Sequence, residues 1–373
     1  MAERYTFQIT ALTMRTHNDY CLILAGGIGK RLWPYSRKDK PKQFLDFFGT
    51  GRSLLQQTYE RFTKFIPKEN IYISTFEDYV PLVREQLPEV AMNNIFSEPV
   101  QLSTAPAVAW ASYFIALRNP HANVVVTPAD QHIVDEGLFA EQVGEGLDFV
   151  SEHSDFLVLG VKPTMPHTGY GYIQKSDICC GERFLRVKSF AEKPSEDFAK
   201  MFMESGEFIW NTGLFLWNVQ TMKRKWSELM PMVAQHVERN GDNLHHKQVV
   251  ELLKEFYPTN LHLSLDLVIL ERSTNVYVRE CQFGWADVGG WSDLYEVKNK
   301  DADGNALVGS QRVILSASKE NLINLPGDTV ALIDGLEGCL VSLNDKVLVI
   351  CRNPELVRRL SSEARMQFGE EFV

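Results

Sequence analysis

Gly26, Gly27 and Gly29 follow directly on an apolar run at residues 20–24, and the cations Lys30, Arg31, Arg37, Lys38, Lys40 and Lys42 come next, against Asp39 alone. Glycines free the backbone to turn its amides into an anion-binding concavity, and cations beside it neutralise the charges of a polyphosphate. Arg31 suits bidentate phosphate contact and Lys42 acts as a point charge. A basic run is more often a solvated face. Here it follows glycines that themselves follow a buried strand, which favours the phosphate reading. Two familiar phosphate loops are excluded. The spacing Gly27, Gly29, Leu32 does not fit GxGxxG, and Gly29-Lys30-Arg31 lacks the GK[ST] ending. Neither a dehydrogenase nor a P-loop ATPase is supported.

The elements that must carry this loop are legible in outline. Apolar runs at 20–24, 71–74, 94–96, 124–127 and 156–160 are separated by stretches of helical spacing such as 54–65 and 107–117. Strands alternating with helices predict an α/β fold with a Rossmann-like, mostly parallel sheet flanked by helices. In such sheets ligands sit at the carboxyl ends of strands, where the glycine loop lies. Strands at 170–174, 184–190 and 214–217 make the sheet mixed, and short strands at 313–315, 330–333, 340–343 and 347–351 predict a small β-rich appendage, open to a β-helical reading. The expected division is an N-terminal extension at 1–17 outside the core, a main domain at 18–300 and a C-terminal domain at 301–373.

A net charge of -10 excludes a protein that grips nucleic acid through a broad basic surface. The six cysteines show no CxxC pair, and no apolar run is long enough to span a bilayer. A cytoplasmic protein with no membrane partner is expected.

The stretch from Leu24 and Ala25 through Gly26, Gly27, Gly29, Arg31 and Pro34, closing on Lys40-Pro41-Lys42-Gln43-Phe44, resembles the signature of the sugar-1-phosphate nucleotidyltransferases. Its Pro-Lys-Gln-Phe ending resembles the mannose-1-phosphate guanylyltransferases. The resemblance implies the nucleotidyltransferase fold, with GTP and mannose 1-phosphate as substrates and Mg2+ as cofactor. Nucleotidyl transfer expels pyrophosphate from the α-phosphorus, so charge stabilisation matters more than a protein nucleophile. Magnesium needs one or two carboxylates and leaves positions for phosphate oxygens and water. Asp130, in Thr127-Pro128-Ala129-Asp130, and Asp287, in Trp285-Ala286-Asp287-Val288-Gly289, look like the family's metal-holding aspartates. Position alone leaves each open to a turn or capping role.

By the same resemblance Thr104 and Pro128 join the nucleotide site. Gly171, Glu192 and Asn211 become sugar-binding residues, and Lys193 meets the sugar phosphate. Gly171 would let a hexose approach the backbone, Glu192 would accept hydroxyl hydrogen bonds, and the Asn211 amide could donate and accept. His132 and the pair His245-His246 receive no chemical role. One departure bears on specificity: Ser103 stands where the family carries asparagine in a segment that frames the base. It keeps open a nucleotidyltransferase for another sugar or base. A non-catalytic nucleotide-sugar sensor is disfavoured, because Arg31, Lys42, Asp130 and Asp287 are all present. The end at Val373 implies a single activity without a fused isomerase domain, and the appendage could mediate a homodimer.

Overall fold

The computed structural model describes residues 14–98, 104–229 and 269–372, with isolated positions between 230 and 268. Ser103, His245 and His246 fall outside the described residues.

The chain begins with β1 (Asp19–Leu24), α1 (Leu54–Thr63), β2 (Ile71–Phe76), α2 (Val80–Gln86), β3 (Ile95–Glu98), α3 (Thr104–Arg118) and β4 (Asn123–Pro128). Then come β5 (Gln131–Ile133), α4 (Glu136–Glu152), β6 (Phe156–Val161), β7 (Gly171–Cys180), β8 (Phe184–Glu192), α5 (Glu196–Ser205), β9 (Phe208–Asn218), α6 (Val219–Leu229), β10 (Val276–Cys281), β11 (Trp285–Asp287) and α7 (Trp291–Val297). A nine-stranded sheet orders them β3-β2-β1-β4-β9-β6-β10-β8-β7. The first four strands are parallel, and β9 enters antiparallel between β4 and β6. β1, β4 and β6 are buried along almost their whole length, as strands covered on both faces must be. One face packs Phe62 and Phe65 from the α1 side and Phe139 from α4; the other packs Val108, Ala111 and Ile115 of α3. Ser53 starts α1 with a reciprocal capping box to Gln56, and Asp135 caps α4 through Leu138 N.

The C-terminal region is built of parallel coils. β12 (Ala306–Gly309), β14 (Leu322–Leu325) and β16 (Leu340–Asn344) stack in one sheet, and β13 (Val313–Ser316) pairs with β15 (Ala331–Asp334) in another. Asparagines run up the turns between coils: Asn321 Nδ2 donates to Asn305 Oδ1 at 2.9 Å, and Asn321 Oδ1 accepts from Cys339 N at 2.9 Å. β17 (Val347–Cys351) folds back antiparallel on β16, and α8 (Val357–Phe368) closes the end.

The C-terminal region holds elements beyond those expected from the sequence. β12 and β14 are two such strands, and parallel pairing with their coil neighbours gives them their place. α8 adds a helix to the β-rich segment, and its Val357, Leu360 and Ala364 join the hydrophobic cluster that holds Leu32, Trp33, Val288, Trp291 and Leu294. Within the segment taken as the N-terminal extension at 1–17, the described end makes contacts with the body. Arg15 N donates to Phe65 O at 2.7 Å, and the Arg15 guanidinium pairs with Asp19 at 2.8 Å and with Asp148, so the chain joins the body before Asn18.

Candidate active site

The glycine loop starts where β1 stops. Ala25 N donates to Ser74 O at 2.7 Å, while Ala25 O accepts from Gln43 Nε2 at 2.8 Å and Thr75 Oγ1 at 2.9 Å. Gln43 therefore ties the end of the signature to its beginning. The glycines have two different jobs. A Cβ on Gly26 or Gly27 would meet nothing within 4 Å, so these residues border open space. Gly29 has φ 69°, and a Cβ there would lie 2.6 Å from Ser36 Oγ and 2.9 Å from Lys42 Cγ. Both conformation and space demand glycine at that position. It leads into the single turn Lys30–Leu32 that carries Arg31.

Asp130 and Asp287 are brought together by a small antiparallel ladder of β5 and β11. Asp287 pairs with Gln131 in register, and Val288 N donates to Asp130 O at 3.3 Å. Lys42 closes this arrangement. Its Nζ lies 2.7 Å from Asp130 Oδ2 and 3.9 Å from Asp287 Oδ1, and donates to Val288 O at 3.0 Å. Lys42 is buried, unlike the exposed Arg31. Burial alone would lower the Lys42 pKa, but Asp130 and then Asp287 outweigh it and hold the ammonium above its ordinary value. The Asp287 carboxyl is pushed up to about 6, chiefly by burial; Lys42 opposes the rise, and Asp130 and Asp293 add to it. Arg31 reaches the same place from the other side. A Cβ on Gly289 would lie 2.8 Å from each of Arg31 Nη2, Asp287 Oδ2 and Asp293 Oδ2.

Among the described residues no group of three His, Cys, Asp or Glu side chains is arranged to hold a metal. Two carboxylates that repel one another, Asp130 and Asp287, fit a hard cation whose remaining positions go to phosphate oxygens and water.

The expected sugar residues also meet. Gly171 stands opposite Glu192 in the β7–β8 register, and its Cβ would lie 3.0 Å from Glu192 Oε2 and 3.4 Å from Asn211 Cβ. A larger residue would fill the gap. Asn211 Oδ1 accepts from Gly213 N at 2.9 Å. Gly213, at φ 72°, packs on Pro128, with Cβ room of 3.2 Å to its Cγ, and Gln131 Nε2 donates to Thr212 O. The nucleotide side and the sugar side thus share a wall. Lys193 lies at the exposed end of β8 with φ 45°, its Nζ 3.0 Å from Glu192 Oε1. Its conformation is one that non-glycine residues adopt at a cost of about 1 kcal/mol.

Thr104 opens α3, and its hydroxyl accepts from Leu265 N at 2.9 Å. His132 stacks on Phe48 with centroids 4.3 Å apart. Sequence reasoning assigned no role to five side chains that join this region. His167 pairs with Asp293 at 2.9 Å and stacks on Tyr170, whose ring sits edge-on to both Trp210 and Trp285. Burial and then Asp293 and Asp287 push the Tyr170 phenol up. Trp285 Nε1 is buried without a hydrogen-bond partner. Tyr170 and Trp285 stand inside the motifs that held Gly171 and Asp287. Asp293, in the first turn of α7, looks in sequence like an ordinary helix-start carboxylate.

Residues 20–304 match the family model described as nucleotidyl transferase. The chain is 31% identical over 362 residues to a mannose-1-phosphate guanylyltransferase of Escherichia coli, covering 94% of this chain and 77% of that protein. It is 33% identical over 334 residues to a mannose-1-phosphate guanylyltransferase of Salmonella muenchen, covering 88% of this chain and 69% of that one. The solved structure of a mannose-1-phosphate geranyltransferase from Thermus thermophilus superposes with a TM-score of 0.83 at 28% identity, over 93% of this chain and 99% of the other. With the glycine loop, paired aspartates and sheet order in place, the chain belongs to the nucleotidyl transferase family, among the mannose-1-phosphate guanylyltransferases.

Proposed function

We propose that the protein transfers GMP from GTP to mannose 1-phosphate, giving GDP-mannose and pyrophosphate. The observation that carries this reading is the meeting of Arg31, Lys42, Asp130 and Asp287 beside the open glycine loop, one wall away from Gly171, Glu192 and Asn211. A phosphate oxygen of mannose 1-phosphate attacks the α-phosphorus in line. The new P–O bond forms as the bond to the bridging oxygen of pyrophosphate breaks, and the leaving group departs with that electron pair. Gly26 and Gly27 leave room for phosphates against the backbone, and Arg31 supplies a bidentate cation. Lys42 orients Asp130 and Asp287 and lowers their mutual repulsion. Asp130 and Asp287 would hold magnesium, which when bound neutralises charge developing on the phosphate oxygens. Glu192 and Asn211 orient the hexose, and Lys193 meets its phosphate after exchanging Glu192 for it.

Pyrophosphate release with each nucleoside triphosphate against a panel of sugar 1-phosphates tests the assignment. GTP with mannose 1-phosphate should give the highest turnover; a higher rate with another pair would move the substrate assignment, as Ser103 allows. The reading includes a cytoplasmic location, supported by six cysteines that are all free thiols. Among the described residues no helix is long and apolar enough to cross a membrane. It also includes a homodimer through the C-terminal coils, supported by Ile314 and Leu332, exposed side by side on β13 and β15. Sedimentation of the wild type against Ile314→Lys checks that contact.

A further inference from the structure

His167 and Asp293 are 126 positions apart in the chain, yet every polar group of the histidine is engaged around their contact. Gly169 N donates to His167 Nδ1 at 3.1 Å, so the imidazole proton sits on Nε2 and is donated to Asp293 Oδ1 at 2.9 Å. His167 O accepts from the Tyr172 hydroxyl at 2.9 Å. The ring stacks on Tyr170 with centroids 3.8 Å apart and planes 16° from parallel. The histidine therefore fixes the loop that delivers Gly171 at the start of β7.

Asp293 is fixed at the other end. Its side chain is 8% exposed, against 23% for His167. A carboxylate this buried needs a donor, and His167 supplies one. The second oxygen, Oδ2, lies in the cluster formed at Gly289 with Arg31 Nη2 and Asp287 Oδ2. α7, which carries Asp293, is anchored in turn to the signature loop, because Trp291 Nε1 donates to Trp33 O at 3.0 Å. One oxygen of Asp293 thus faces the phosphate-handling group, and the other holds the sugar loop.

We infer that the His167–Asp293 pair is a positioning clasp that sets the sugar loop of β7 against Arg31 and Asp287, and so aligns the sugar phosphate with the nucleotide. Neither residue touches a reacting atom. The inference rests on the proposed activity, since alignment matters only where two substrates must meet. An in-line attack tolerates little misplacement: a shift of about 1 Å costs on the order of a hundredfold in rate. Loss of the clasp acts on the meeting of two substrates more than on the binding of the first.

Steady-state kinetics of the wild type, His167→Ala, His167→Gln, Asp293→Ala and the double alanine variant, together with equilibrium binding of GTP without sugar, test it. The single alanine variants should lose about tenfold or more in kcat/KM for the sugar 1-phosphate that the wild type uses best, with GTP affinity of His167→Ala kept within about twofold. Unchanged GTP affinity also reports that this variant is folded. The double variant should be no worse than the weaker single one, and His167→Gln, whose amide can still donate to Asp293, should recover most of the loss. Losses that multiply in the double variant, or a glutamine variant as damaged as the alanine one, overturn the clasp. So does an active wild type whose alanine variants match it. A wild type that turns over no pair overturns the functional reading and the clasp with it.

Discussion

Lys42 Nζ stands 2.7 Å from Asp130 Oδ2 and 3.9 Å from Asp287 Oδ1, so a lysine of the basic signature spends its charge on the two aspartates that the β5–β11 ladder sets side by side. Arg31 is exposed and, in the proposed function, is the cation left for phosphate, whereas Lys42 is buried and offsets the charge of the carboxylate pair.

Replacing Lys42 should therefore harm the fold as well as the reaction. Lys42→Met leaves two neighbouring carboxylates without their counter-charge, and removal of one partner from a buried charge cluster costs about 2–3 kcal/mol. Urea denaturation at neutral pH should register that loss. Arg31→Met should leave the unfolding midpoint nearly unchanged while lowering kcat/KM by roughly a hundredfold.

The glycines separate along the same line. Gly29→Ala forces a Cβ to within 2.6 Å of Ser36 Oγ in a left-handed conformation, and should destabilise the protein by about 2 kcal/mol. Gly27→Ala meets no protein atom within 4 Å. It should leave thermal stability intact and raise the KM for GTP, because the added methyl occupies space open to phosphate.

Glu98, at the end of β3, has its pKa pushed up to about 7 by burial, with the hydrogen bond from Ser74 opposing the shift. In the unfolded chain the same carboxyl ionises near pH 4.5. Between those values the folded state holds a proton that the unfolded state has lost, so stability falls as pH rises through the window. The change attributable to this group is at most about 3 kcal/mol. Glu98→Gln should flatten that part of the curve and raise the unfolding midpoint at pH 8, as calorimetry across pH 4–8 would register; an unchanged slope would remove Glu98 as its source.

Much of the site could be read from sequence because its residues lie in contiguous motifs. Gly26 to Lys42, Asp130, Gly171, Glu192, Asn211 and Asp287 each stand in a run that resembles a family motif; the structure sets Asp130, Asp287 and Lys42 together at the β5–β11 ladder and Gly171, Glu192 and Asn211 around one gap. What sequence did not reveal was pairing across distance. Nothing local marks Lys42 as the partner of Asp130, or His167 as the partner of Asp293, because each contact is made by the sheet order. The coils escaped for a related reason. β12 and β14 gain their identity from parallel register with one another, and α8 from the cluster it joins with residues of the signature loop such as Leu32 and Trp33.

The central claim is tested most directly by following a label on the α-phosphate of GTP in the presence of mannose 1-phosphate and magnesium. The account predicts that the label moves into GDP-mannose in step with pyrophosphate release, and that Asp130→Asn and Asp287→Asn each reduce the transfer by at least about a hundredfold. Label remaining in GTP with the wild-type protein, or transfer at the wild-type rate in both aspartate variants, would contradict it.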